Sequence, residues 1–355
     1  MIRVILVDDS ATVRRLFKKA LSSAPDVQVI AEAPDPYVAR ELVVEHKPDV
    51  LVLDVEMPRM DGITFLRKLT KHFPIPVVVC SSVTEAGGKL ALEAFDAGAM
   101  EVICKPQTPS ALAELGSELL RAVRSAAASR RTSVTAGSRP VELGRGTSVE
   151  LVVIGASTGG TTAVESIISR LPPQMPPIVV VQHMPAYITK AFAARLNGLS
   201  RLQVFEATDG HLLEPGQVLI APGDHHLEIV RAGRDLRCRL NDQERVNGHR
   251  PAVDVMFHSV AKNVGANVVG ALLTGMGKDG AQGMLEMRER GAYTLAQDER
   301  SCVVFGMPRA AIELGAACEV AALDEMAPRL VRALETHAAA QRRSRLPAAT
   351  GRPAP

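Results

Sequence analysis

LVVIGASTGG, Leu151 to Gly160, decides how this 355-residue chain reads. Four apolar residues run straight into a turn of small ones, the pattern of a buried strand in a parallel sheet. The next residues, TTAVESIISRL, place Val164, Ile167, Ile168 and Leu171 on one helical face. Ser157 therefore sits on a strand–turn–helix, where the N-terminal N–H groups of a helix point at whatever binds. Gly155 is expected to let the chain turn sharply, and Gly159 and Gly160 to leave room above the serine. The pentad Gly155-Ala-Ser157-Thr-Gly159 fits G-x-S-x-G, the pattern of an exposed serine nucleophile. Tight packing explains such a turn equally well on its own. A nucleotide cradle fits worse, because G-x-x-x-G-G is neither G-x-G-x-x-G nor a P-loop.

A serine is a poor nucleophile until a base takes its proton, so the rest of the chain must supply one. PPIVVVQHM reads as a second apolar strand, ending at His183, and VVGALLTG as a third, followed by the turn Met276-Gly-Lys-Asp279-Gly280. Histidine suits the base, and a carboxylate suits the role of fixing its tautomer. The order Ser157, His183, Asp279 differs from the Ser, Asp, His order of α/β-hydrolases. His211, His225, His226, His249 and His258 read as surface or satisfied residues, and His225 and His226, adjacent on a strand, face opposite ways. Asp209, Asp224, Asp254 and Asp298 stay open as the acid. Asp279 leads because glycines surround it directly after an apolar strand. Between these strands, GQVLIAPGDHHLEIVRAGRDLRCRL reads as short, antiparallel strands with Gly turns.

The first third alternates strand-like and helical runs, which predicts a doubly wound parallel sheet with its site at the carboxyl ends of the strands. Asp8 and Asp9 end the first strand and Asp54 the third. Ser81 and Ser82 end the fourth, and Lys105 follows the fifth. Three gathered carboxylates repel unless a cation joins them, and hard oxygen ligands favour Mg²⁺. A carboxylate beside Mg²⁺ and a lysine is equipped to accept a phosphoryl group. Helix capping explains any one of these aspartates, but not the matched strand ends together.

The pattern VDDS…LDVEMPRMDG…SS…KP, over about residues 1–122, resembles a response-regulator receiver domain. The resemblance implies a flavodoxin-like fold with Asp54 as phospho-acceptor. Asp8, Asp9, Asp54 and the backbone carbonyl of Glu56 would hold Mg²⁺, Ser81 would be the switch hydroxyl and Lys105 the phosphate partner. Val102 stands where many receivers carry an aromatic residue. GASTGG, QHM, HRPAVDVMF and TGMGKDG, over roughly residues 148–336, are similar to the CheB-type chemotaxis methylesterases. That resemblance implies a phosphorylation-activated hydrolase with a Rossmann-like α/β domain. It would demethylate γ-glutamyl methyl esters, and deamidate glutamines, on methyl-accepting chemotaxis receptors. Ser157 would attack, His183 would act as base, Asp279 would orient it, the Met276 N–H would face the oxyanion and Thr158 would help position the nucleophile. The phosphodonor would be a CheA-type histidine kinase, and the esterase would need no cofactor.

The expected organisation is a receiver at 1–122, a flexible linker at 123–147, a catalytic domain at 148–340 and a disordered tail at 341–355. A net charge of +2, no tryptophan and 3% aromatics argue against nucleic-acid binding. No stretch approaches the length of a membrane span. MIRVILVDDS lacks the basic start and long apolar run of a signal peptide. The five cysteines form no close pair, which fits a reducing, cytoplasmic setting. A non-catalytic adaptor is the competing class, and retention of all three triad residues argues against it. A DNA-binding output fares worse, for want of a helix–turn–helix pattern and a basic recognition helix.

Overall fold

The computed structural model describes residues 1–81, 85–105, 112–129, 141–143 and 147–345. The first half runs β1 (Ile2–Val7), α1 (Ala11–Leu21), β2 (Val27–Ala33), α2 (Pro36–His46), β3 (Val50–Asp54), α3 (Gly62–His72), β4 (Val77–Ser81), α4 (Glu85–Asp96), β5 (Glu101–Cys104) and α5 (Leu112–Ala128). Its five strands form one parallel sheet in the order β2-β1-β3-β4-β5. β3, VLVLD, is buried at every position, as a strand covered by helices on both faces must be. The order reverses between β1 and β3, so the loops after those two strands diverge and open a crevice.

Helices α1, α2 and α3 start where a side chain, Ser10, Asp35 or Asp61, satisfies a free N–H group. The Asp61 carboxylate accepts from both the Thr64 N–H and the Thr64 hydroxyl, each at 2.8 Å, to open α3. These bonds hold the Asp61 carboxyl below the usual range, against the effect of burial. Asp61→Ala is expected to lower stability by about 1 kcal/mol, read as a lower denaturant midpoint. A depressed carboxyl stabilises the fold above its unfolded pKa, so the difference between wild type and variant should vanish as pH falls through the folded value.

The second half adds β6 (Leu151–Ala156), α6 (Gly160–Ile168), β7 (Ile178–Gln182), α7 (Ala186–Leu199), β8 (Gln203–Glu206), β9 (Gln217–Ile220), β10 (His226–Ala232) and β11 (Asp235–Asn241). It continues with α8 (Val253–Asn263), β12 (Val268–Leu272), α9 (Ala281–Glu289), β13 (Tyr293–Gln297), α10 (Met307–Glu313), β14 (Glu319–Ala321) and α11 (Leu323–Arg345). Seven strands form a parallel sheet in the order β14-β13-β12-β6-β7-β9-β8. The antiparallel expectation for the middle segment holds only for β10 and β11, which form a separate ribbon. β9 instead joins the parallel sheet beside β7. Chain order reverses between β6 and β12, so the turns after these strands and after β7 border one crevice.

The two halves are packed together. Gly88 on α4 lies so close to α7 that a Cβ there would stand 2.4 Å from the Tyr187 carbonyl oxygen. Leu92 of α4 and Phe192 of α7 share one apolar cluster, and Arg195 bridges Asp96 (2.5 Å) and Glu165 (2.9 Å). α5 extends to Ala128, so the segment read as linker from 123 begins as helix, and Ser125 is fully buried. Within 141–143, Val141 and Leu143 pack on the apolar core. Residues 130–140 and 144–146 of the expected linker lie outside the described residues, as do 346–355 of the expected tail, whose first part belongs to α11. No helix among the described residues is long and apolar enough to cross a membrane.

Candidate active site

At the carboxyl edge of the first sheet, Asp8, Asp9 and Asp54 bring carboxylate oxygens within 4.8 Å of one another. Asp8 and Asp54 are buried and Asp9 is exposed. Lys105 Nζ pairs with Asp54 (2.6 Å) and Asp8 (2.9 Å). Burial pushes the Asp54 carboxyl up to about 6, against the pull of Lys105. Burial also works against the charge on Lys105, but its bonds to Asp54 and Asp8 outweigh that and hold its pKa above the usual lysine value. The Glu56 N–H donates to Asp54 Oδ1 at 3.0 Å. Gly62 is required beneath this loop, since a Cβ there would lie 2.1 Å from the Asp54 carbonyl oxygen. An all-oxygen donor set suits a hard divalent cation. The Ser81 backbone ends β4 beside Cys104. Its side chain, and Ser82 entirely, lie outside the described residues.

At the carboxyl edge of the second sheet, the turns after β6, β7 and β12 bring Ser157, His183 and Asp279 together. Ser157 and Asp279 are buried, and the His183 side chain is 3% exposed. His183 Nε2 lies 2.8 Å from Asp279 Oδ2. Asp279 also accepts from the backbone N–H groups of Val253 (2.7 Å) and Asp254 (3.2 Å), at the start of α8. Burial opposes its charge, but the bonds from His183, Asn247 and Val253 prevail and hold its carboxyl well below the usual range. An ionised Asp279 accepts a hydrogen bond from His183 Nε2–H, which leaves the lone pair on His183 Nδ1. That atom is buried with no hydrogen-bond partner among the described residues, the state expected of a base awaiting a proton.

Local contacts fix the turn that carries Ser157. The Ser157 N–H donates to the Thr274 carbonyl (3.0 Å), and the Thr274 hydroxyl donates to the Thr158 carbonyl (2.9 Å). Gln182 donates to the carbonyls of Ser157 (2.9 Å) and His183 (3.2 Å), tying two of the three turns together. The glycines act differently from the sequence expectation. Gly155 lies within β6 and makes room for Val253, while Gly160 makes room for Gln182. Gly159 turns the chain with φ +76°. Room for the serine itself comes from Gly275, where a Cβ would stand 2.7 Å from the Ser157 Cβ. Met276 is half-buried in the same turn, and its N–H makes no hydrogen bond among the described residues.

The first half of the chain closes over this site. A cavity of about 710 Å³ is bordered by Ser157, His183 and His249 on one side and by Phe95, Glu118 and Arg121 on the other. Val102 lines it too. Thr158, next to Ser157, shares a 2.5 Å hydrogen bond with Ser125 of α5 and donates to Glu101 of β5.

Sequence reading missed His249, whose ring stacks on His183 with centroids 3.7 Å apart and planes 6° apart. Burial, with His183 and Arg121 nearby, pushes its pKa down to about 3, so it is neutral near pH 7. The signal that could have found it is the HRPAVDVMF stretch, which carries part of the resemblance and begins at His249. Asn247, whose amide donates to Asp279 Oδ1, was likewise not singled out. Asp254, left open as the acid, makes no side-chain bond to His183 among the described residues and instead accepts from Asn247 and the Gly283 N–H. His226 is satisfied as expected: Nδ1 accepts from the Ala252 N–H (3.2 Å), and Nε2 donates to the Glu244 carbonyl (2.9 Å).

Comparison with known proteins matches residues 152–330 to the CheB methylesterase family and residues 4–115 to the response regulator receiver domain. A protein-glutamate methylesterase/protein-glutamine glutaminase of Syntrophus aciditrophicus is 47% identical over 338 residues, covering 93% of this chain and 98% of that protein. Its counterpart from Anaeromyxobacter dehalogenans is 50% identical over 337 residues, covering 93% and 94%. The crystal structure of the Thermotoga maritima CheB methylesterase catalytic domain is 41% identical, with a TM-score of 0.51, covering 52% of this chain and 97% of that one. This chain belongs to the CheB methylesterase family, with a response-regulator receiver domain preceding its esterase domain.

Proposed function

We propose that this protein hydrolyses γ-glutamyl methyl esters, and deamidates glutamines, on methyl-accepting chemotaxis receptors in the cytoplasm, under control of phosphorylation at Asp54. The observation that carries the reading is the His183–Asp279 pair, with a His183 Nδ1 that has no hydrogen-bond partner among the described residues, His183 lining the same cavity as Ser157. His183 Nδ1 takes the Ser157 proton as Oγ attacks the ester carbonyl. The Met276 N–H donates to the oxygen that gains charge. His183 then hands its proton to the departing methoxide, and methanol leaves. Water, activated by the same nitrogen, releases the glutamate and restores Ser157. With a glutamine substrate the leaving group is ammonia. Asp279 keeps the ring in one tautomer throughout and stabilises the imidazolium.

On the receiver, Asp54 accepts the phosphoryl group from a CheA-type histidine kinase. Asp8, Asp9, Asp54 and the Glu56 carbonyl are the residues that would hold Mg²⁺, which offsets charge on the phosphoryl oxygens. Lys105 pairs with the same oxygens, and Ser81 is the switch hydroxyl. The docked receiver occupies the mouth of the esterase cleft, so charge added at Asp54 acts by loosening that docking.

Methanol release from a methylated receptor fragment tests the whole reading. Acetyl phosphate should raise the rate of the wild type and leave Asp54→Asn at its basal rate. Absence of release by wild type, with Asp54 demonstrably phosphorylated, would refute the assignment of substrate.

A further inference from the structure

Past β11 the chain returns over the site in a tight hairpin, in which Val246 and His249 exchange backbone hydrogen bonds of 3.1 and 3.0 Å. It turns through Asn247 and Gly248, at φ 53° and 81°. Asparagine tolerates this left-handed backbone better than other side-chain-bearing residues, which accounts for the Asn-Gly pair. The turn aims the Asn247 amide inward. Its Nδ2 donates to Asp279 Oδ1 and to Asp254 Oδ2, each at 2.8 Å. Two residues on, His249 lies flat against His183. One hairpin thus touches both members of the His183–Asp279 pair.

The two carboxylates are 1% and 6% exposed, and like charges so placed repel. Asp254 is further fixed by the Gly283 N–H, which donates to Oδ1 at 2.8 Å. Burial, and then Asp279, raise the Asp254 carboxyl, whereas Asp279 is held low. The amide stands between them and spends one proton on each. The titratable and charged groups facing this cluster are His183, His249, Asp254 and His258 of α8, and Arg121 of α5.

We propose that Asn247 is a positioning residue of the esterase, its amide fixing Asp279 Oδ1 so that Oδ2 faces His183, while separating that carboxylate from Asp254. The proposal rests on the reading of His183 and Asp279 as the catalytic pair. The simpler possibility is that Asn247 only anchors its hairpin to α8. The two differ in their consequences, because Asp254→Ala breaks the anchor and spares the bond to Asp279.

The test follows methanol release by the phosphorylated full-length protein across a pH series, with thermal melting of each variant. Asn247→Ala should lower kcat by about 10- to 100-fold at little change in KM, since a misoriented pair costs rate and not binding. Asp254→Ala should lower the melting temperature and leave kcat much nearer to wild type. Asn247→Asp, close in shape, adds a third carboxyl whose negative charge disfavours ionisation of Asp279 and favours the imidazolium form of His183. The acid limb of kcat/KM should move to higher pH. Equal kcat losses in Asn247→Ala and Asp254→Ala, or an unmoved acid limb in Asn247→Asp, would overturn the proposal. Should Asn247→Ala fail to fold, the limb in Asn247→Asp decides. Asp279→Asn separates the two layers: wild-type kcat there would sink the catalytic pair itself, whereas a large loss there with an unmoved limb in Asn247→Asp sinks only the role of Asn247.

Discussion

Ser157→Ala should abolish methanol release, with kcat falling about 10⁴-fold or more, while the protein stays folded and its receiver still accepts phosphate. Removing a triad nucleophile leaves only binding and oxyanion contacts to accelerate the reaction, which accounts for a loss of that size. The substitution itself is mild. Ser157 contributes its backbone N–H to Thr274 and its carbonyl to Gln182, and alanine keeps both. The Ser157 side chain borders the cavity already present, so loss of the hydroxyl creates no new enclosed void. Phosphorylation of Asp54, measured separately with labelled phosphodonor, should match wild type because the two carboxyl edges belong to different sheets. Methanol release within a few-fold of wild type would show that Ser157 is not the nucleophile.

The second large effect is a gain. A fragment beginning at residue 148 should hydrolyse the ester about 5- to 150-fold faster than the unphosphorylated whole chain, the range of a coupling of ~1–3 kcal/mol between sites. Without the receiver, Phe95, Glu118 and Arg121 no longer border the cleft, and Thr158 loses its bonds to Ser125 and Glu101. Glu101→Ala in the whole chain should raise the basal rate by a smaller factor, since the α4–α7 contact and the Arg195 bridge remain. This contact also bears on Val102, which carries a small side chain at a position where many receivers have an aromatic switch. Its neighbour Glu101 accepts a hydrogen bond from Thr158, next to Ser157. A fragment no faster than the unphosphorylated chain would rule out masking by the receiver.

Much of this molecule was legible in sequence. Apolar runs ending in Asp8, Asp54, Ser157 and His183, each followed by a helical period, dictate parallel sheets, because strands buried on both faces must be apolar throughout and must be joined by crossover helices. Since loops at the carboxyl ends of such strands carry the site, the same runs also named the candidate residues. The hairpin from Val246 to His249 could not be read this way. Its residues look like any polar turn, and only the folded chain lays His249 on His183 and Asn247 against Asp279. Similarly, the short strands β8, β13 and β14 are paired by their neighbours in the sheet and not by their own pattern. The glycines were visible, but their partners were not: the space left by Gly275 matters only because Ser157 arrives from a distant strand. Local pattern thus determined the strands, the crossovers and the residues at their ends. Tertiary structure decided which polar groups meet there, and that the receiver lies over the esterase cleft, since such contacts join residues far apart in sequence whose types alone do not encode their partners.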